Sequence, residues 1–352
     1  MAKKKTVDTV VEDIYSTISA LTKGQDIKLK PKSEGLSNSE RQWIQIVKER
    51  DGDTTEYFDK EGFLKESQNW KYPLHFIDFE TSTVPLPFHK FSNPYQQIAF
   101  PFSHHTLSDE GEITHKSEYI NTTPGEFPNF KFIQNLYQSL SNDQGTIFRY
   151  SDHENTILNH IRNQLIQSNY PNKDVYIKFI ETISKPTDNC IRPWVVEKRN
   201  MVDLCEVIKD FYYHPLTYGS NSIKKVLPAI LETSNYINSK YTKEIQRIGV
   251  TSKNFPKDHK WLKRDSLNNI VSPYDLLPPV FKDFTEEELE GMVSEIETLS
   301  NGGTALTAYG KIQYTDMKKN ERDALKTSLL KYCELDTLAM VMIYEHLKFI
   351  SK

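Results

Sequence analysis

Residues 72 to 120 contain three strand-like runs separated by short turns, and this succession limits the possible fold more than any other feature. The runs are YPLHFIDFE, QQIAFPFSHHTL and EITHKSEYI, and the turns contain NP and DEGE. Strands with such short connections pair as an antiparallel meander. A helical pattern over 128–141, a strand at GTIFRYS and a helix from Glu154 follow. Further helical patterns cover 201–231, ending near Pro228, and the stretch TEEELEGMVSEIE. The sequence therefore predicts an α/β fold with a mixed sheet flanked by helices.

The chain has 352 residues, which permits one elaborated domain or two. A helical pattern from Val7 to Leu21, a polar stretch over 23–39 and a short helix around Trp43 predict a helical extension and linker over 1–71, before a main domain over 72–352. No apolar run approaches the roughly 20 residues of a membrane span. The beginning, MAKKKTVDTVVEDIY, lacks the apolar core of a signal peptide. We therefore expect a cytoplasmic protein.

Two compositional features bear on ligands. Cys190, Cys205 and Cys333 lie far apart, without the paired spacing of a zinc site or a disulfide framework, so a bound metal would need oxygen ligands. The net charge is -4, but residues 239–265, in an insertion at about 235–280, hold eight Lys or Arg against three acids, with aromatic residues between them. This segment favours contacts with nucleic-acid backbone and bases, or it is only a solvated basic surface.

Asp78 and Glu80 interrupt the first apolar strand. Side chains two apart on a strand share a face, so these acids point to one side while Ile77 and Phe79 point to the other. Buried carboxylates need a cation, a basic side chain or hydrogen-bond donors, and oxygen ligands favour Mg²⁺ or Mn²⁺. An edge strand with two surface acids is the alternative.

The last helical pattern, over about 321–348, contains a second signal. Tyr332 and Asp336 are four residues apart, so they lie one turn apart on the same face of a largely apolar helix. An acid in that setting again needs a partner. The alternative is an exposed Asp336 paired with Lys331 or a neighbouring lysine.

These stretches resemble the DEDD or DnaQ-like 3'-5' exonucleases, a superfamily with an RNase H-like fold. The stretch Asp78 to Glu80 is similar to its first motif, and Tyr332 to Asp336 is similar to the tyrosine form of its third motif. HFIDFET, NPYQQIAF and YCELDTLAM together look like an uncharacterised bacterial domain of unknown function within that superfamily. The resemblance covers about 72–348 and leaves out 1–71.

The second motif of the superfamily is matched less closely, at FRYSDHENTIL. Ser151 stands where the superfamily usually has Asn, and Glu154 stands where it usually has Asp. Asp152 is a competing assignment for this acid. In the stretch MVDLCEVIKDFYYHP, the resemblance implies that Asp203 is a supporting acid and not a metal ligand.

The resemblance implies a metal-dependent 3'-5' exonuclease that hydrolyses phosphodiester bonds of DNA or RNA with two Mg²⁺ or Mn²⁺ ions. The implied metal ligands are Asp78, Glu80, Glu154 and Asp336. Tyr332 is a poor base at its usual pKa of about 10, so it would orient the attacking water. The nucleic acid would be single-stranded or have a free 3' end, and we assign substrate contacts to Thr81, Gln96, Lys224, Lys260 and Trp261.

Two other functions are compatible with the same residues. The departure in the second motif suits a catalytically weakened domain that only binds nucleic acid or a protein partner. Hydrolysis of a small phosphodiester or a short oligonucleotide is the other function, and it would use the same chemistry. This chain has no G-x-x-x-x-G-K-[ST] motif, so it does not encode ATP-driven unwinding. No motif separates DNA from RNA as the substrate.

Overall fold

The computed structural model describes residues 32–90, 92–289, 292–294 and 296–352, which form an α/β fold. The α-helices in these ranges are α1 (Asn38–Asp51), α2 (Lys60–Ser67), α3 (Asn129–Leu140), α4 (His153–Gln167), α5 (Lys173–Ile183), α6 (Leu204–Phe211), α7 (Ile223–Thr233), α8 (Asn235–Tyr241), α9 (Glu286–Leu289), α10 (Gly302–Tyr314) and α11 (Lys319–Ile350). The strands are β1 (Tyr57–Phe58), β2 (Leu74–Ser82), β3 (Ile98–Leu107), β4 (Ile113–Ile120), β5 (Ile147–Arg149), β6 (Val202–Asp203), β7 (Tyr212–Tyr213), β8 (Val250–Thr251), β9 (Lys263–Arg264) and β10 (Ile270–Val271). Short 3-10 turns cover Pro215–Thr217 and Ile245–Arg247.

Six strands form one mixed sheet in the order β6-β5-β2-β3-β4-β8. Strand β3 is antiparallel to β2 on one side and to β4 on the other, and Phe76 pairs with His105 while Phe102 pairs with Tyr119. On the other side of β2, strands β5 and β6 run parallel to it, and β8 runs parallel to β4. The predicted antiparallel meander and mixed α/β sheet are therefore confirmed.

Strand β2 contributes to two apolar clusters. Ile77 and Phe79 pack with residues of α3, α4 and α5 in one cluster. Leu74 and Phe76 belong to a larger cluster that includes residues of α7, α10 and α11. Because successive side chains on a strand point to opposite faces, Asp78 and Glu80 lie on the same side of β2 as Phe76.

Helix α11 covers that side of β2 and β3. It has 32 residues and is about 48 Å long, given a rise of about 1.5 Å per residue. All residues from Leu338 to Ile343 are fully buried, as expected for a helix that is apolar on every side. None of the helices in the described ranges is both long and apolar enough to cross a membrane.

The predicted extension over 1–71 is only partly described. The helix around Trp43 is present as α1, whereas the helix predicted from Val7 to Leu21 lies outside the described residues. Strand β1 pairs with β7, and Phe63 of α2 is fully buried in the larger apolar cluster. Residues 57–67 therefore pack against the main domain.

Two helix predictions were wrong. The helical pattern over 201–231, expected to end near Pro228, is interrupted by β7, and Pro228 lies inside α7. Buried apolar residues around Pro228 offset the hydrogen bond that it cannot donate. Of the helix predicted over TEEELEGMVSEIE, the structure contains Glu286–Leu289, and the described residues 292–294 are not helical. The backbone N–H groups of Val293 and Ser294 donate to the buried Glu321 carboxylate instead.

Candidate metal centre

Strand β2 holds Asp78 and Glu80 on the side covered by α11. Their neighbours Ile77 and Phe79 are buried on the opposite side. Pairing with β3 is irregular between Phe79 and Thr81, so that two residues of β3 lie opposite Glu80. Irregularities of this kind bend a strand and redirect a side chain, and they are frequent beside functional sites.

Helix α11 brings Asp336 to these two acids. One carboxylate oxygen each from Asp78, Glu80 and Asp336 lies within 4.8 Å of the other two. Tyr332, one turn before Asp336, is only 2% exposed, and its hydrogen bonding lowers the pKa of Glu80 and of Asp336. The three acids and the tyrosine predicted from the first and third motifs therefore lie together.

The three carboxyl groups disfavour one another's negative charge. Burial raises the pKa of Glu80 to about 8, and the Asp336 charge adds to this rise while Lys224 opposes it. The pKa of Asp78 is raised well above its usual value, mainly by burial and then by the negative charges of Asp336, Glu154 and Glu80. The pKa of Asp336 is raised by burial too, against the effects of Lys224 and Tyr274. A bound cation would relieve this repulsion.

Glu154, the acid assigned from the second motif, is buried in the first turn of α4 but is not a member of the group of three. Its charge nevertheless raises the pKa of Asp78, and burial raises its own pKa to about 8. The competing Asp152 has a side chain that is 68% exposed and forms ion pairs with Arg149 and Lys185. The geometry therefore favours Glu154 over Asp152 as a fourth acid.

Arg149 and Asp203 hold the loop before Glu154. The buried Arg149 donates from Nη1 to Asp203 Oδ2 and from Nη2 to Asp152 Oδ1, both at 2.9 Å. Asp203 also accepts from the backbone N–H of Ser151 at 2.8 Å, where φ is 76°. A positive φ is unfavourable for a serine, so these bonds stabilise an otherwise strained loop. Asp203 thus supports the loop and lies outside the carboxylate group.

Lys224 lies beside the tyrosine of the centre. Its Nζ donates to the Tyr332 hydroxyl at 2.8 Å and to the Ser300 carbonyl oxygen at 3.2 Å. The same ammonium lies over the rings of Tyr274 and Tyr332, 4.9 and 4.8 Å from their centroids. Lys224, predicted as a substrate contact, is therefore a direct neighbour of the carboxylate group.

The other predicted substrate contacts lie in different settings. The Thr81 hydroxyl forms a hydrogen bond with His153 Nε2 at 3.0 Å. Gln96 lies in the turn before β3 and accepts from the backbone N–H of Asn93 at 2.9 Å. Lys260 is exposed. These residues keep their assignment as a prediction.

The structure gives the aromatic residues of the basic segment a packing role. Trp261 is 2% exposed and Phe255 is 8% exposed, and both belong to the larger apolar cluster. Their ring centroids lie 4.6 Å apart, with His259 packed against both. The contact of Trp261 with substrate stays a prediction.

Sequence reasoning missed Tyr274 and the role of Arg149. The Tyr274 hydroxyl donates to Asp336 Oδ1 at 2.5 Å, although Tyr274 lies in a segment without helical or strand periodicity. No pattern in the sequence linked Tyr274 to Asp336. For Arg149 a signal was available, because an arginine in an otherwise apolar strand needs acidic partners.

The donor set fits a hard divalent cation. All three grouped ligands are carboxylates, the type of oxygen ligand that Mg²⁺ and Mn²⁺ accept. The three acids outnumber the single nearby ammonium of Lys224, which opposes the rise in pKa of each. Asp78, Glu80 and Asp336 are therefore the residues that would hold such an ion.

Comparison with known proteins gives one match. A family model described as "Domain of unknown function (DUF2779)" matches residues 75–222. No curated protein and no solved structure matches the chain. The matched range includes Asp78, Glu80 and Glu154 but not Tyr332 or Asp336. It thus covers the acid-bearing strand and not the helix that completes the carboxylate group.

Proposed function

We propose that this protein is a 3'-5' exonuclease that uses Mg²⁺ or Mn²⁺ to hydrolyse phosphodiester bonds of DNA or RNA. One observation carries the proposal: carboxylate oxygens of Asp78, Glu80 and Asp336, from β2 and α11, lie within 4.8 Å of one another. The resemblance of the surrounding motifs to DnaQ-like exonucleases turns this candidate metal centre into a specific hypothesis about its reaction.

The sheet supports an RNase H-like fold as part of this proposal. Strands β2, β3 and β4 form an antiparallel meander, and β5 and β6 extend the sheet in parallel from β2. The acid-bearing β2 is thus an inner strand, covered on one side by α11 and on the other by α3 to α5. The sequence resemblance implies a mixed sheet whose first three strands are antiparallel and which is flanked by helices.

In this proposal, the carboxylates would bind the metal ions and Tyr332 would orient the attacking water. Asp78, Glu80 and Asp336 would hold two divalent ions, with Glu154 close enough to contribute negative charge. Bound there, the ions would lower the pKa of a water and stabilise charge on the leaving oxygen. Burial and the neighbouring carboxylates raise the pKa of Tyr332, so its hydroxyl stays protonated and would orient the water as a hydrogen-bond donor.

The first turn of α10 offers a place for the phosphate. Gly302 begins this helix, and a Cβ atom at that position would lie 3.6 Å from Glu80 Oε2. The N-terminal end of a helix attracts anions through its free N–H groups and its dipole. Lys224, bonded to Ser300 just before this turn, would add a positive charge.

A second function is favoured by one observation. Glu154 lies outside the group of three acids, which suits a domain that binds nucleic acid with weakened catalysis. That domain would keep its affinity for a single strand when Asp336 is replaced, and it would show no metal-dependent cleavage.

The test uses single-stranded DNA and RNA labelled at the 5' end, incubated with the purified chain in Mn²⁺, in Mg²⁺ or in EDTA. If nucleotides are removed from the 3' end, we expect a descending ladder of labelled products in the presence of either ion and no shortened products in EDTA. A 3'-phosphorylated strand of the same sequence serves as the blocked control.

Two results would contradict the proposal. Intact substrate in both metals would favour the binding domain, which a filter-binding assay on the same strand would then measure. Cleavage that persists unchanged in the Asp78→Asn variant would place the active site elsewhere.

A further inference from the structure

Tyr274 lies in the insertion predicted at about 235–280 and forms a hydrogen bond with one specific oxygen of the carboxylate group. Its hydroxyl donates to Asp336 Oδ1 at 2.5 Å. Both side chains are 6% exposed, so water has little access to this bond. The bond therefore fixes the Oδ1 side of the Asp336 carboxylate.

The ring of Tyr274 is itself held in place. The Lys224 ammonium lies 4.9 Å from its centroid, and the Tyr332 ring lies beside it with centroids 6.4 Å apart. Lys224 is in turn tied to Tyr332 and Ser300 by hydrogen bonds. The hydroxyl of Tyr274 therefore has a fixed direction toward Asp336.

We infer that Tyr274 is a positioning residue, which orients the Asp336 carboxylate for a divalent ion. This inference rests on the proposed function. It gives the segment between α8 and α10, which contains Tyr274, a role in metal binding. Partners that hydrogen-bond a metal-ligating side chain fix its orientation, and their loss typically weakens metal binding by about 10- to 100-fold. Tyr274 does not touch the reacting atoms in this scheme.

A second tyrosine that donates to an acid of α11 provides a matched control. Tyr241 donates to Glu345 Oε2 at 2.6 Å, and the Lys240 ammonium lies 5.3 Å from the Tyr241 centroid. Tyr241 thus repeats the tyrosine, lysine and carboxylate contacts of Tyr274 without neighbouring acids. A Tyr241→Phe variant removes the same hydroxyl from a site that is not expected to bind metal.

The experiment is a calorimetric titration of the full chain with Mn²⁺. We expect the Tyr274→Phe variant to bind Mn²⁺ about tenfold more weakly than wild type, and Tyr241→Phe to match wild type. In the exonuclease assay, activity lost by Tyr274→Phe should return at high Mn²⁺ with an unchanged KM for nucleic acid. A purely structural tyrosine would not give this metal-dependent rescue.

The possible outcomes separate the two proposals. Wild type that binds Mn²⁺ but cleaves no nucleic acid would overturn the proposed function, while the titration would still decide the role of Tyr274. Equal Mn²⁺ affinity in Tyr274→Phe and wild type would overturn the inference, as would a wild type that binds no Mn²⁺. Circular dichroism checks each variant, and Tyr274→Met replaces Tyr274→Phe if the latter does not fold.

Discussion

Two of the buried acids on helix α11, Glu345 and Asp336, have similar partners and different surroundings. Glu345 accepts from Lys240 Nζ at 2.7 Å and from the Tyr241 hydroxyl at 2.6 Å. Asp336, nine residues earlier, accepts from the Tyr274 hydroxyl and lies near the lysine Lys224. Each acid thus has a tyrosine donor and a lysine within reach.

The difference between the two regions is their balance of charge. The carboxylate of Glu345 is matched by the ammonium of Lys240 in a direct ion pair. Around Asp336, the carboxylates of Asp78 and Glu80 share the influence of one ammonium, and their pKa values are raised. A buried acid is therefore not by itself evidence of a functional site. An excess of buried acids over nearby cations does indicate a functional site.

The largest expected effect is a difference in exonuclease activity between variants of Asp336 and variants of Glu345. The Asp336→Asn variant removes a charged metal ligand, so we expect exonuclease activity to fall by about 1000-fold, equivalent to about 4 kcal/mol of transition-state stabilisation. Glu345→Gln should keep activity within a few-fold of wild type wherever the protein remains folded. Initial rates on one labelled strand in saturating Mn²⁺ measure both.

Equal losses in the two variants, with both folded by circular dichroism, would break the comparison. It would then be the integrity of α11, and not the charge of Asp336, that activity requires.

A smaller effect should appear at Tyr332 and Lys224. An ammonium can only donate, so the 2.8 Å bond from Lys224 occupies an acceptor position of the Tyr332 oxygen and leaves its O–H to act as donor. We expect Tyr332→Phe to lower kcat by about 10- to 100-fold, since one oriented hydroxyl is lost. If Lys224 acts through Tyr332, adding Lys224→Met to Tyr332→Phe should lower kcat no further.

Multiplicative losses in kcat/KM, with a higher KM for Lys224→Met, would instead show that Lys224 binds the substrate directly, as the sequence predicts. Lys240→Met is the matched control for removal of a half-buried lysine that lies over a tyrosine ring.

The third effect is a pH dependence of stability without metal. Glu80 has a pKa of about 8 in the folded protein against about 4.5 for the ordinary side chain, so folding favours its protonated form. Its stabilising contribution is complete below about pH 4.5 and is lost as the pH rises to about 8. Wild type in EDTA should therefore lose at least about 1 kcal/mol of unfolding free energy over this range relative to Glu80→Gln.

Chemical unfolding of both proteins at several pH values in EDTA measures this difference. Parallel curves for wild type and Glu80→Gln would mean that the Glu80 carboxyl is not under repulsion in the folded protein. Glu345→Gln, whose partners would lose a charged acceptor, should be less stable than wild type at neutral pH.

The smallest effect concerns the basic segment over 239–265, in which Lys257, Lys260 and Lys263 are exposed while Trp261 and Phe255 are buried. Replacing Lys257, Lys260 and Lys263 with Gln should reduce the slope of log affinity against log salt by about 0.7 per lost contact with a single strand. Binding of the inactive Asp336→Asn protein to one long oligonucleotide at several salt concentrations measures the slope.

Three exposed lysines elsewhere, Lys71, Lys116 and Lys198, give the control triple. If both triples change the slope equally, the segment is an ordinary solvated surface.

The sheet was predictable from the sequence because its strands carry strong local patterns. The runs around Ile77, Phe102 and Tyr119 alternate or are uniformly apolar, and short turns leave antiparallel pairing as the simplest connection. Helix ends were less predictable, since they depend on tertiary bonds. The described residues 292–294 are not helical, and Glu321, distant in sequence, accepts from the backbone N–H groups of Val293 and Ser294.

The site was predictable where its chemistry conflicts with its local surroundings. Asp78, Glu80 and Asp336 are acids in apolar elements, and the structure brings them together. Tyr274 gave no such signal, because a tyrosine in a loop is ordinary and its contact with Asp336 spans 62 residues. Trp261 gave an ambiguous signal, because aromatic rings near lysines suit nucleic acid and a core equally well, and the structure packs Trp261 into the core.

The distance in sequence between β2 and α11 has a consequence for biosynthesis. Asp78 and Glu80 leave the ribosome long before Asp336, and an incomplete chain has no helix to cover their side of the sheet. The candidate centre assembles only when α11 has emerged and packed. A nascent chain of the proposed nuclease would therefore stay inactive until that helix has emerged and docked.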